Sequence, residues 1–301
     1  MPILKTPLKR FENLTEYPFE ANYCNVSVDE TELQMHYVDE GDKDSPVILM
    51  LHGEPTWSYL YRNMVKHAVE NGFRVIVPDL IGFGKSDKFD NKAPYTYANF
   101  IQWITNFIKK LALKNINLIC QDWGGLIGLR VLAAEPELFK NLVVANTFLP
   151  TGEEPMNEAF QNWQTFSQTV EVFPVSQIVQ RGCKRELSEA ERYAYDAPFP
   201  DESYKWGVRQ FPLLVPTSTD NPESSNNKQA WLVLKSLSLP VLTVFGDSDP
   251  ITKGADKAFQ RMMKGCEGQA HAVLKDVAHF IQEDASQKLI ENAVTFFRAN
   301  S

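Results

Sequence analysis

The chain alternates short apolar runs with amphipathic stretches over most of its length. Val47–Leu51 is continuously apolar, as expected for a strand covered on both faces. The pattern predicts further strands at Asn22–Val28, Leu33–Val38, Phe73–Val77, Ile116–Gln121, Asn141–Ala145, Pro240–Phe245 and Ala270–Leu274. It predicts helices at Tyr59–Glu70, Tyr97–Leu111, Leu126–Ala134, Lys253–Met263 and Ala285–Arg298. Such alternation predicts an α/β fold, with a doubly wound, mostly parallel sheet of eight strands flanked by helices.

Residues 150–215 interrupt this alternation. The segment has helical spacing, many aromatic residues and several prolines, but no run that predicts a buried strand. We therefore expect it to form a helical cap, or lid, inserted after the sixth strand. The α/β core domain would then consist of residues 1–149 and 216–301.

Composition narrows the class of protein. Of the 301 residues, 44% are hydrophobic and 23% are charged, and the net charge is −8. No Lys/Arg-rich run is present, which disfavours nucleic-acid binding. The first twenty residues lack the apolar centre of a signal peptide, and no apolar run approaches the ~18 residues of a membrane span. We expect a cytoplasmic monomer that binds neither nucleic acid nor membrane.

The cysteines and histidines give no sign of a metal site. Four cysteines are widely spaced without a CxxC pair, and the five histidines show no ligand spacing, so we expect neither metal nor cofactor nor disulfide framework. The segment Gly82–Ser86 looks like the end of a phosphate-binding P-loop. Its required first glycine is Asp79, so nucleotide binding is unsupported.

The strongest local motif is Cys120-Gln121-Asp122-Trp123-Gly124. An apolar strand ends, Asp122 follows, small residues flank it at minus two and plus two, and a helix begins. This is the pattern of a nucleophile elbow with aspartate in the usual serine position. The simpler alternative is a strand–turn–helix junction in which Asp122 caps the helix.

Three further elements follow strands in the order expected of a catalytic triad. The loop His52–Trp57 and the elbow would supply an oxyanion hole from the backbone N–H groups of Glu54 and Trp123. Asp249 follows one later strand and His279 the last, giving the chain order nucleophile, acid, histidine. Taken alone, Asp249 could be a turn residue and His279 a buried core histidine. Together with the elbow, they point to a catalytic site at the carboxyl edge of the sheet.

Over essentially its whole length, the sequence resembles the haloalkane dehalogenases of the α/β-hydrolase superfamily. The resemblance is closest to the branch with glutamate after His-Gly and a lid tryptophan as second halide ligand. It is carried by the segments His52–Arg62, Arg74–Lys88, Gln121–Leu129, Asp196–Pro212 and Asp276–Asp284.

The resemblance implies a role for each candidate residue. Asp122 would be the nucleophile, His279 the base and Asp249 its carboxylate partner, while Trp123 and Trp163 would hold the halide. The residues implied to line the pocket are Phe160, Phe211, Val215 and Ile251. The ligands would be a small apolar haloalkane, water and halide ion.

The aspartate itself indicates the type of reaction. An aspartate is ionised at neutral pH and can displace halide from an sp³ carbon without activation, forming an alkyl ester. Water deprotonated by His279 would then hydrolyse that ester.

Two other functions stay open at this point. An epoxide hydrolase would share the Asp–His–Asp residues and use cap tyrosines as acids, and Tyr193, Tyr195 and Tyr204 are available. A non-catalytic ligand-binding member of the fold is the other alternative. A fluoroacetate dehalogenase is disfavoured, because Trp123 stands where an arginine would bind the substrate carboxylate.

Overall fold

A single sheet of eight strands forms the centre of the molecule. The computed structural model describes residues 2–28 and 30–301. The strands are β1 (Ile3–Leu4), β2 (Asn22–Val28), β3 (Thr31–Glu40), β4 (Val47–Leu51), β5 (Arg74–Pro78), β6 (Lys88–Phe89), β7 (Ile116–Gln121), β8 (Phe139–Ala145), β9 (Val241–Gly246) and β10 (Ala272–Leu274). The central sheet has the order β10-β9-β8-β7-β4-β5-β3-β2, and β1 pairs with β6 in a separate two-stranded sheet.

The pairing makes the central sheet mostly parallel. The six strands from β5 to β10 in the sheet order pair with one another in parallel. At the other edge, β3 pairs antiparallel with both β5 and β2. The predicted mostly parallel sheet of eight strands is thus confirmed. Because the carboxyl ends of parallel strands lie at one edge, the loops after β4, β7, β8, β9 and β10 can meet there.

Burial follows from strand position. All residues of β4 and of β7 are buried, as expected for strands covered on both faces. By contrast, β2 at the sheet edge alternates buried and accessible residues.

Eleven α-helices lie in the described ranges of the chain. They are α1 (Arg62–Glu70), α2 (Tyr97–Lys110), α3 (Trp123–Ala134), α4 (Glu158–Thr169), α5 (Val175–Arg181), α6 (Glu189–Asp196), α7 (Trp206–Leu214), α8 (Pro222–Ser236), α9 (Ala255–Met262), α10 (Ile281–Asp284) and α11 (Ser286–Ala299). Helices α1 and α11 pack together, and α3 packs against both α2 and α8. None of the helices in the described ranges is long and apolar enough to cross a membrane.

Four helices, α4 to α7, follow β8 and contain the residues of the expected cap. Asn157 begins α4 by accepting the N–H of Phe160, and Ser188 begins α6 with a capping box to Glu191. The boundaries of the cap at 150 and 215 stay a prediction.

Helix α8 is an element that the sequence pattern did not predict. Its first two turns are polar, and its buried apolar residues Ala230, Trp231 and Leu234 come late. The signal was at its start, where Asn221 caps the helix and Pro222 occupies the first turn.

Candidate active site

Asp122 stands at the sharp corner between β7 and α3. Its φ of 50° and ψ of −128° form a strained combination that non-glycine residues rarely adopt, so the surrounding structure must hold it. A Cβ on Gly124 would come within 2.0 Å of the Leu51 carbonyl oxygen, so only glycine fits there. The Thr147 hydroxyl donates to the Asp122 carbonyl over 2.7 Å. These contacts support the elbow interpretation, because they fix the backbone that presents the carboxylate.

His279 lies between two carboxylates. Its Nδ1 is 2.9 Å from Asp249 Oδ2, and its Nε2 is 3.4 Å from Asp122 Oδ2. Burial favours the neutral ring, but the charges of Asp249 and Asp122 outweigh it and raise the pKa of His279 to about 10. The structure therefore brings together the three residues that the sequence places far apart.

Asp249 is held by several donors besides the histidine. The Ile251 N–H and the Thr252 hydroxyl both donate to its carboxylate. Burial alone would raise the pKa of Asp249. The positive charge and hydrogen bond of His279, together with these donors, outweigh burial, so the pKa of Asp249 lies below its usual value. Asp249 is therefore an anion that can orient the ring and balance its charge.

Glu54 contributes two different groups. Its backbone N–H donates to Asp122 Oδ1 over 2.7 Å. Its carboxyl group is buried, and burial together with the charge of Asp122 raises its pKa well above the usual value. Trp123 is the first residue of α3, so its N–H has no carbonyl one turn earlier in the helix to bond with. The Glu54 N–H thus bonds to the Asp122 carboxylate, and the N–H of the next residue, Trp123, has no helical partner.

A cavity of about 350 Å³ opens beside the carboxylate of Asp122. Trp123 and Trp163 both line it. The indole N–H groups of Trp57 and Trp231 donate to backbone carbonyls, whereas no side-chain hydrogen bond within residues 2–28 and 30–301 involves those of Trp123 and Trp163. The buried indole N–H of Trp103 also lacks an acceptor among these residues, but Trp103 lies outside the cavity. The apolar residues around the cavity are Leu126, Phe148, Ala159, Phe160, Phe166, Ile178, Pro212, Val215, Pro250, Ile251, Ala278 and Phe280.

One expected lining residue is placed elsewhere. Phe160, Val215 and Ile251 line the cavity, but Phe211 does not. Phe211 instead stacks on Trp123, with ring centroids 4.4 Å apart and planes 11° apart, and its other neighbours include Phe83. Successive helical side chains point about 100° apart, so the next residue, Pro212, reaches the cavity instead. Phe211 therefore packs against the ring of Trp123 and does not line the cavity.

The sequence analysis missed several residues at this site. Phe148 and Phe280 line the cavity, and each lies just beyond a strand-end residue of the site. Gln121 Nε2 is 3.2 Å from both the carbonyl oxygen and Nε2 of His279. Asn146 bonds to the histidine loop as well. The only sequence signal for Asn146 was a polar residue directly after a buried strand.

Comparison with known proteins places the chain in a family. A model of the alpha/beta hydrolase fold matches residues 46–286. A haloalkane dehalogenase from Psychrobacter cryohalolentis is 47% identical over 301 residues, covering 100% of this chain and 99% of that protein. The chain belongs to the haloalkane dehalogenases. It is a hydrolase that acts on carbon–halide bonds, as the resemblance implied; the branch with a lid tryptophan stays a prediction.

Other members of the family agree with this placement. A haloalkane dehalogenase from Mycobacterium marinum is 45% identical, over 98% of this chain and 100% of its own. Haloalkane dehalogenase DpaA from Paraglaciecola agarilytica NO2, solved as a tetramer, is 35% identical with a TM-score of 0.91, covering 99% of each chain.

Proposed function

We propose that this haloalkane dehalogenase acts on short haloalkanes through a covalent ester on Asp122. One observation supports the proposal most strongly. The Asp122 carboxylate, held by the Glu54 N–H at 2.7 Å, faces a largely apolar cavity that carries two indole rings without protein acceptors. Such a cavity suits an uncharged substrate and provides donors for an anion that leaves it.

In the first step, an oxygen of Asp122 attacks the halogen-bearing carbon. A carbon–oxygen bond forms as the carbon–halogen bond breaks, and the halide leaves with the bonding electrons. The indole N–H groups of Trp123 and Trp163 stabilise the developing halide without adding a net positive charge. The carboxylate needs no base in this step, because it reacts as an anion.

In the second step, His279 takes a proton from water, and the hydroxide adds to the carbonyl carbon of the ester. The N–H groups of Glu54 and Trp123 stabilise the tetrahedral oxyanion. When the tetrahedral intermediate collapses, the bond between its central carbon and the alkoxy oxygen breaks. The alkoxy group takes the proton of the added hydroxyl and leaves as the alcohol, and Asp122 is again a carboxylate. His279 releases its proton to solvent, so the products are alcohol, halide and a proton.

The charges around His279 couple the two steps. In the free enzyme, the Asp249 and Asp122 carboxylates raise the pKa of His279 to about 10 despite its burial. Ester formation removes the charge of Asp122 and one of these two contributions, so the pKa falls. A neutral imidazole then becomes available at the stage that requires a base.

The placement of the cap tyrosines favours this function over epoxide hydrolysis. The hydroxyl of Tyr195 is buried and donates to Glu283, and Tyr193 is exposed. None of the three tyrosines Tyr193, Tyr195 and Tyr204 lines the cavity within the described ranges. An epoxide in this cavity would therefore lack the tyrosine acids that an epoxide hydrolase uses to protonate the alkoxide.

The test compares two products at equal enzyme concentration. We expect halide release from 1-bromobutane and 1,2-dibromoethane and no diol from styrene oxide. Asp122→Asn should abolish halide release. Diol formation by the wild type, or halide release by Asp122→Asn, would refute the proposal.

Assembly and location need separate tests. The sequence analysis expects a monomer, but the similarity to DpaA, solved as a tetramer, weighs against it. Light scattering after size-exclusion chromatography distinguishes the mass of one chain from that of four. The cytoplasmic location stays a prediction.

A further inference from the structure

Asn146, the first residue after β8, is hydrogen-bonded to three catalytic loops at once. Its carbonyl oxygen accepts the N–H of Asp122 over 3.1 Å. Its side-chain Oδ1 accepts the N–H of Gly246 over 2.8 Å. Its Nδ2 donates to the carbonyls of Ala278 at 2.7 Å and His279 at 3.0 Å. One buried residue thus joins the elbow, the loop of the catalytic acid and the loop of the histidine.

The amide of asparagine suits this position for a chemical reason. It offers donors and an acceptor on one short side chain, and the three contacts use both. Aspartate would place an oxygen against the two carbonyls of the histidine loop. The φ of 34° at Asn146 is positive, in a region that asparagine tolerates better than most residues.

The surrounding packing leaves little room for these loops to shift. A Cβ on Gly246 would come within 2.3 Å of the Val277 carbonyl oxygen, so the acid and histidine loops lie in close contact. Gln121 Nε2 adds a second donor to the His279 carbonyl at 3.2 Å. The Asn146 and Gln121 amides therefore help to hold the main chain of the histidine loop, while Asp249 bonds to the ring itself.

We infer that the Asn146 side chain is a positioning residue that acts on ester hydrolysis and not on ester formation. This inference rests on the proposed function. Among the described residues, its side chain bonds only to the acid and histidine loops. The bond to the Asp122 N–H uses the main chain, which a substitution retains. Ester formation needs Asp122 and the halide donors, but hydrolysis also needs His279 aligned with water and the ester carbonyl.

Asn146→Asp is the sharpest test, because it keeps the acceptor for Gly246 and removes the donor to the histidine loop. Asn146→Gly removes the whole side chain and tolerates the positive φ. Asn141→Asp is the matched control. Asn141 is equally buried on β8, but its amide donates to Asn117 Oδ1 at 2.8 Å, near the other end of the strand.

The measurement follows halide release and alcohol formation from 1-bromobutane by rapid quench. For both Asn146 variants we expect halide release within about threefold of wild type and ester hydrolysis slowed by about 10²-fold. The values of kcat and KM should then fall together while kcat/KM changes little, and a butyl adduct should accumulate on the Asp122 peptide. Asn141→Asp should keep both rate constants.

The design separates the possible failures. Loss of folded protein lowers the burst amplitude and leaves the rate constants readable. If the Asn146 variants slow both steps equally, or match Asn141→Asp, the inference is wrong. If wild type forms no adduct on Asp122, the proposed function fails instead.

Discussion

The role of Trp163 can be tested by removing a single donor. Trp163→Phe deletes the indole N–H but retains an aromatic ring beside Phe166 and Phe173, whose centroids lie 6.1 and 6.0 Å from the Trp163 ring. The substitution therefore keeps much of the apolar lining and removes the hydrogen bond that we propose Trp163 donates to the departing halide.

The expected magnitude follows from burial. A hydrogen bond to a charged group contributes about 1.5–3 kcal/mol, and about 1.4 kcal/mol corresponds to tenfold in rate. Trp163 is half-buried, so water can replace part of the lost bond, whereas Trp123 is 3% exposed. We expect kcat/KM for 1-bromobutane to fall by about tenfold in Trp163→Phe and by about 10²-fold in Trp123→Phe.

The assay measures initial rates of halide release, together with bromide affinity by intrinsic fluorescence. Trp206→Phe is the control, because Trp206 is a half-buried tryptophan of α7 outside the cavity lining. If Trp163→Phe stayed within threefold of wild type, or Trp206→Phe changed as much, Trp163 would not be a halide ligand.

Three further outcomes are expected. Arg62 is buried and bonds to Glu283 at 2.6 Å and to Glu191 at 2.7 Å. Arg62→Ala should therefore lower the free energy of unfolding, measured by urea denaturation, by about 3–5 kcal/mol. The control, Lys66→Ala at an exposed position, should lower it by less than about 0.5 kcal/mol. Burial raises the pKa of Glu54, so the folded protein keeps this carboxyl group protonated at a pH where the unfolded chain ionises it. The free energy of unfolding of the wild type therefore falls as the pH rises above the usual glutamate pKa. The Tm difference between Glu54→Gln and wild type should therefore grow from about pH 5 to about pH 8, and an unchanged difference would mean an ionised Glu54. Asp249→Asn should lower kcat by about 10²–10⁴-fold and keep the first-turnover halide burst, which quenched-flow sampling measures.

Elements with a strong apolar pattern were predictable from sequence. Strands β2, β4 and β7 have their predicted bounds. The wholly buried β4 and β7 are continuous runs without a charged residue, whereas β2 alternates buried and accessible residues. Helix α3 begins at Trp123 and not at the predicted Leu126, because the elbow closes at once: the N–H groups of Gly125 and Leu126 already donate to the Asp122 carbonyl. The backbone geometry of the elbow therefore sets where this helix begins, and the spacing of apolar residues does not reveal it.

The residues of the site that directly follow a strand could be predicted from the sequence. Asp122, Asp249 and His279 each follow a strand, so parallel topology alone brings them to one edge. Which way a cap side chain points depends on how the helix is rotated against the core, and Phe211 was misplaced for that reason. The contacts of Asn146 cross three loops that are distant in sequence, so no local pattern could indicate them.

The route of oxygen during one turnover tests the central claim most directly. Excess enzyme reacts with 1-bromobutane in ¹⁸O-labelled water, and mass spectrometry follows both butanol and the Asp122 peptide. Attack of water on the ester carbonyl should give unlabelled butanol in the first turnover and leave the label in the Asp122 carboxylate. Labelled butanol in the first turnover, with an unlabelled peptide, would mean that water displaces the halide directly and that Asp122 is not the nucleophile.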